Sequence, residues 1–138
     1  MKISLKIAEN LTQQCLEKAR KINIPVSIAV IDNDGKLVCF SRMDEALPIS
    51  IELAPAKAYT AYSLRMTTEK LKTLTEPGEM LYGLENSCDN IVIFGGGIPI
   101  RFKDKVIGAV GVSGGSVEED IEVAQAGVEF FENRYTSN

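Results

Sequence analysis

Ile91-Val92-Ile93-Phe94-Gly95-Gly96-Gly97-Ile98-Pro99-Ile100-Arg101-Phe102-Lys103-Asp104-Lys105-Val106-Ile107-Gly108-Ala109-Val110-Gly111-Val112-Ser113 decides the fold. Three runs rich in β-branched residues are separated by a glycine triplet and by the pair Lys103-Asp104. Runs of this length and composition, bounded by turn-forming residues, read as strands. Strands are expected over 91–94, 98–102 and 105–113, joined by short links into an antiparallel meander.

Working outward, Gly114-Gly115 breaks the last strand, and Ser116 with Glu119 forms a capping box for a helix over 117–133. Ile121, Ala124, Val128 and Phe131 recur at helical spacing and form its buried stripe. The tail from Tyr135 is polar and expected to fray. Toward the N-terminus, residues 79–90 are weakly patterned, with Tyr82 and Leu84 expected to pack. A short helix over 69–74 is capped by Thr67 or Thr68 and closed by Pro77-Gly78. An alanine-rich helix over 50–64 contains Pro55, which must kink it or mark a restart, because its ring clashes with the preceding turn. Asn33-Asp34-Gly35 is the turn of a hairpin between strands over 26–32 and 37–43. Ser4 caps a first helix over 5–21, whose stripe is Ala8, Leu11, Cys15, Ala19 and Ile22. The order helix, hairpin, helices, meander, helix implies one α+β domain over 1–138, five antiparallel strands with helices packed on the sheet.

Composition narrows the function. A chain of 138 residues buries about two-thirds of its unfolded surface, so it needs no disulfide or metal to fold. The net charge of -4 and the lack of a basic run argue against nucleic acid, where phosphate neutralisation supplies most of the affinity. No apolar stretch has the length of a membrane span, and Met1-Lys2-Ile3-Ser4 runs straight into a charged helix, so a cytoplasmic protein is expected. Cys15, Cys39 and Cys88 are odd in number and widely spaced, the pattern of reduced thiols. The chain has no histidine, which removes the usual neutral-pH base and the commonest metal ligand.

The residues open to a chemical reading are few. Gly95-Gly96-Gly97 is either a strand-end bulge or a place where a flat ligand or a neighbouring subunit lies against bare main chain. Each glycine weakens a regular strand by roughly 0.5–1 kcal/mol, which favours a purpose beyond turning. Gly114-Gly115-Ser116 resembles an anion site, but Glu118, Glu119 and Asp120 already complement that helix end. Arg42 and Asp44 share a strand face, as a local ion pair or with Arg42 reaching for a ligand carboxylate. Lys57, among Ala54, Ala56, Ala58 and Ala61, either snorkels to solvent or neutralises an anion. Tyr59 and Tyr62 read as core. Asp32, Asp44 and Glu52 are candidate carboxylate bases if burial raises their pKa.

The sequence resembles the GlcG/HbpS family, which also forms the C-terminal domain of PduO-type proteins. The resemblance is carried by Ala29-Val30-Ile31-Asp32 with Gly35 and Leu37, by Arg42-Met43-Asp44, and by Lys57-Ala58-Tyr59-Thr60-Ala61. It continues through Gly95 to Ile100, Val106 to Gly115, and Asp120 with Val123-Ala124 and Ala126-Gly127. The resemblance implies a profilin-like sheet, homo-oligomers, haem binding in some members, and a link to glycolate, diol or corrinoid metabolism. This chain departs from the family in having Glu45 after Asp44, Asp104-Lys105 in the last turn, and no histidine as axial ligand. Met43, Met66, Tyr59 or Cys15 could in principle ligate iron instead. The reading is therefore an accessory protein binding a small ligand, haem or a corrinoid, through Arg42, Asp44, Lys57, Gly95, Gly96, Gly97, Pro99 and Ser113. A carboxylate-based enzyme and a structural module, packed through Gly108, Ala109, Gly111 and Ser113, are the alternatives.

Overall fold

The computed structural model describes residues 1–136. Helix α1 (Leu5–Lys21) begins at Ser4, whose hydroxyl accepts the Ile7 N–H at 3.2 Å, and ends with Lys18, Arg20 and Lys21 at the negative end of its dipole. Strands β1 (Ser27–Ile31) and β2 (Leu37–Arg42) form the hairpin. Helix α2 (Ser50–Leu64) and helix α3 (Thr68–Thr75) follow, the latter capped by Thr67, whose hydroxyl accepts the Lys70 N–H. After a 3₁₀ turn (Leu84–Asn86) come β3 (Gly97–Phe102), β4 (Lys105–Ser113) and helix α4 (Val117–Phe131). The capping box is complete: Glu119 N–H donates to the Ser116 hydroxyl, and Ser116 N–H to the Glu119 carboxylate.

The sheet has four antiparallel strands in the order β2-β1-β4-β3, not the expected five. Residues 91–93 belong to no strand. Val92 donates its N–H to the Thr60 hydroxyl of α2 instead of to a strand, so this segment packs on the helix and delivers the chain to the glycines. Pro55 marks no restart, since α2 runs continuously through it. The first turn of that helix is bonded three residues back, Ser50 to Leu47 and Ile51 to Pro48, so proline falls in the second turn of an established helix.

The two faces of the sheet carry different chemistry. Ile28, Val30, Ile98, Ile100, Val110 and Val112 point to one face and bury Leu11, Cys15 and Ala19 of α1 with Val123, Ala124, Val128 and Phe131 of α4. Full burial of each large aliphatic chain is worth about 1.5–3 kcal/mol, so this layer supplies most of the driving force. The opposite face is lined by small residues and is covered by α2. Ile121, expected in the α4 stripe, is half-buried and lies over Gly95. Tyr82 is 67% exposed, contrary to the packing expected of it. Tyr135 does not fray: its ring lies 5.1 Å from Phe131 in a π-helical turn (Glu132–Thr136) that continues α4. Residues 137 and 138 of the expected frayed tail lie outside the described residues.

Candidate functional site

The glycine cluster is occupied by the chain itself. Ala29, Gly111 and Gly97 are register partners across β1, β4 and β3, forming a row of minimal side chains on the α2 face. Helix α2 lies directly in this row. A Cβ on Gly111 would overlap the Ala54 carbonyl oxygen and sit 2.6 Å from the Ala58 nitrogen, and a Cβ on Gly97 would overlap the Lys57 carbonyl. Close approach of backbone to backbone is therefore what these glycines permit, and the partner is an internal helix. Ala109 is buried with Ala58 and Ala61, and Gly108, which alternates with it to the opposite face, abuts the Ile31 carbonyl and Ile3, so the small residues expected to suit subunit packing are covered from within.

Lys57 neither snorkels nor meets an external anion. It is 1% exposed, and its Nζ donates to the Val112 carbonyl at 2.9 Å and to Asp120 Oδ2 at 3.0 Å, with the Phe94 ring centroid 5.1 Å away. Asp120, 3% exposed, also accepts the Gly115 N–H at 2.8 Å through Oδ1. Burial pushes the Lys57 pKa down and the Asp120 pKa up, and each partner's charge opposes the other's shift. Gly96, at φ +130°, passes beside this pair, and a Cβ there would lie 2.8 Å from Lys57 Nζ. The pair ties α2 to the start of α4 across the end of the sheet. The anion-like end at Gly114-Gly115-Ser116 is filled by the chain's own Asp120 and Glu119 carboxylates, as its acidic first turn implied.

The other residues singled out do not join this cluster. Arg42 and Asp44 are exposed and form no ion pair with each other, because the strand ends at Arg42 and the chain turns away through Glu45 at φ 69°. Ser113 is buried opposite Ser27, whose hydroxyl pairs with Ser50 at 2.8 Å. Asp32 Oδ1 is committed to the hairpin turn, accepting the N–H groups of Asp34 and Lys36. Asp44 and Glu52 line different cavities. Tyr59 is 41% exposed rather than core, while Tyr62 is half-buried with its hydroxyl donating to the Asn33 carbonyl. Cys15 is fully buried with its thiol pushed up to about 12, which removes it as an iron ligand. The Met43 sulfur accepts the Val26 N–H at 3.5 Å against the core.

An open groove lies elsewhere, along the outer edge of β3. It encloses about 340 Å³ between the start of α3 and the end of α4, with Met66, Ile98, Pro99 and Val128 as apolar lining, Arg65, Lys70 and Arg101 as cations and Glu132 as its one carboxylate. Arg65 caps α2 in the left-handed conformation, φ 56°, and its carbonyl accepts a hydrogen bond from the Arg101 guanidinium at 2.7 Å. That bond satisfies a helix-end carbonyl and fixes where Arg101 stands. Of the eight residues expected to contact a ligand, Pro99 alone lines this groove. The cations escaped the sequence reading because they are scattered over three elements, with no run to mark them.

The sequence profile described as "Haem degrading protein HbpS-like" matches residues 3–129. The chain belongs to the HbpS-like family. Among HbpS-like relatives, it is 43% identical over 130 residues to an uncharacterized 15.0 kDa protein from the dhaT-dhaS intergenic region of Citrobacter freundii, covering 94% of this chain and 92% of that one. It is 40% identical over 119 residues to the corrinoid adenosyltransferase PduO of Salmonella typhimurium, covering 86% of this chain but only 35% of that protein. The solved PduOC:heme complex superimposes with a TM-score of 0.88 at 38% identity, covering 91% of this chain and 92% of that one. The family inferred from the motifs is thus the family observed.

Proposed function

We propose that this HbpS-like chain is a small-ligand-binding protein for haem, held in the groove along the outer edge of β3. The observation that carries the reading is the groove itself: Met66, with the edges of the buried Ile98, Pro99 and Val128, forms an apolar floor beneath the cations Arg65, Lys70 and Arg101, with Glu132 as the one carboxylate. A porphyrin has this same division, an apolar ring with two carboxylates at one edge, and ligand sites generally combine apolar walls with a few placed polar groups. The heme complex formed by PduOC, of matching fold, supports the same ligand class.

The chain offers few donors to a porphyrin iron. With no histidine, a buried Cys15, a solvent-facing Tyr59 and Met43 engaged at the core, the thioether of Met66 is the candidate that lies beside the cations. Methionine is a known axial ligand type. Arg65, Lys70 and Arg101 would hold the propionates by charge-assisted hydrogen bonds, which are about twice as strong as neutral ones. When bound, the iron would supply the redox chemistry, and the chain's own residues would bind and orient the ring. Family membership supports haem as ligand.

Titration of the purified protein with haem and, separately, with cobalamin, followed by visible absorbance, tests this. Haem is expected to give a saturable Soret shift that Met66→Leu alters in position and Arg101→Gln weakens roughly tenfold. A spectrum unchanged by protein would end the haem reading. Binding indifferent to both substitutions would move the site away from this groove, and a shift with cobalamin alone would replace haem by a corrinoid.

A further inference from the structure

We infer that a second cavity, beneath the β3–β4 turn, is a site for a small dianion such as a phosphate ester or a dicarboxylate. It encloses about 500 Å³ and is lined by Tyr62, Ser63, Arg65, Arg101, Lys105 and Val106, with Asp104 as its one carboxylate. Three cations thus converge on a single concavity in a chain whose net charge is -4. None of the three makes an ion pair within 4.0 Å, whereas the ion pairs among the described residues are Lys18–Glu122, Lys57–Asp120 and Lys72–Glu76. Gathering unpaired like charges is unfavourable, and an anion between them turns the repulsion into attraction.

The end of α2 accounts for only part of this charge. A helix C-terminus carries about half a negative charge, and the Arg101 guanidinium already meets it at the Arg65 carbonyl. Lys105 opens β4 just after the turn residues Lys103 and Asp104, at φ 49° and 65°, and the Arg65 side chain projects from the α2 cap. The exposed Ser63 hydroxyl adds a donor suited to phosphate or carboxylate oxygens, while the Tyr62 hydroxyl is already given to the Asn33 carbonyl. Planar guanidinium forks favour two-point binding of such oxyanions, and a lysine adds a point charge. Arg65 and Arg101 border both cavities; Lys105 borders only this one, and Met66 only the groove.

The test uses haem-free protein, so it does not depend on the haem reading. Backbone amide shifts are followed by NMR during titration with inorganic phosphate and, in a second arm, with malonate, at constant ionic strength held by chloride. Saturable shifts at Arg65, Arg101, Lys105 and Val106 are expected, with affinity falling roughly tenfold or more in Lys105→Glu while haem titration is unchanged. Tighter phosphate binding assigns a phosphate ester, and tighter malonate binding assigns a dicarboxylate. Shifts that chloride reproduces, that never saturate, or that survive both Lys105→Glu and Ser63→Glu would overturn the site.

Discussion

The glycine row beneath α2 and the groove along β3 differ in the way that separates packing from binding. The row is bare main chain, yet it is closed: Gly97 and Gly111 touch α2 backbone, and Gly96 runs beside the buried Lys57–Asp120 pair. The groove is built of full-sized side chains from α2, α3, β3 and α4, yet it is open. A stretch without side chains marks where something must come close, and here that something is an internal helix. The contrast predicts that substitutions in the row damage folding while substitutions in the groove damage binding.

The largest effect is expected for Gly111→Val. Its side chain would collide with the Ala54 carbonyl, a backbone atom that cannot move without lifting α2. A loss of more than about 4 kcal/mol, measured by urea unfolding, is expected, and near-normal stability would show the helix is not held as described. Next is Lys57→Met, which leaves Asp120 buried without its cation and should cost about 3–5 kcal/mol. Adding Asp120→Asn keeps an acceptor for the Gly115 N–H, so the double variant should recover much of that loss in the same unfolding experiment. If it does not, the pair is not the feature that matters.

A smaller effect concerns the opposite core. Burial holds the Cys15 thiol neutral, raised from 9.0 to about 12, so the unfolded chain loses this proton first as pH rises. Stability from this group is complete below about pH 9 and is lost through about pH 12. Alkaline unfolding curves of Cys15→Ala should lack that part of the slope, and an unchanged slope would mean the thiol is open to solvent. The smallest structural effect is expected for Lys70→Gln at the groove rim, whose stability should stay within about 0.5 kcal/mol of the parent while haem binding weakens. A large fall in melting temperature would make Lys70 a structural residue instead.

Much of the fold was legible because its signals are local. Ser4, Thr67 and the Ser116–Glu119 box each fix a helix start within a few residues, and Asn33-Asp34-Gly35 fixes the hairpin. Residues 91–94 misled because an apolar β-branched run records burial, not pairing, and Thr60 on α2 supplies the bond a neighbouring strand would have made. The candidate site was less legible. Lys57 could be seen as an oddity among alanines, but its partner Asp120 lies 63 positions away. Arg65 and Arg101 meet only because β3 runs past the end of α2, a proximity no local spacing encodes.

The comparison is tested most directly by mapping amide shifts across the whole chain as zinc protoporphyrin, a diamagnetic stand-in for haem, is added. Perturbations concentrated at Arg65, Met66, Lys70, Ile98, Arg101 and Val128 are predicted, with Gly95 to Gly97, Lys57 and Ser113 unmoved. Perturbations centred on the glycine row, with the β3 groove silent, would contradict the account.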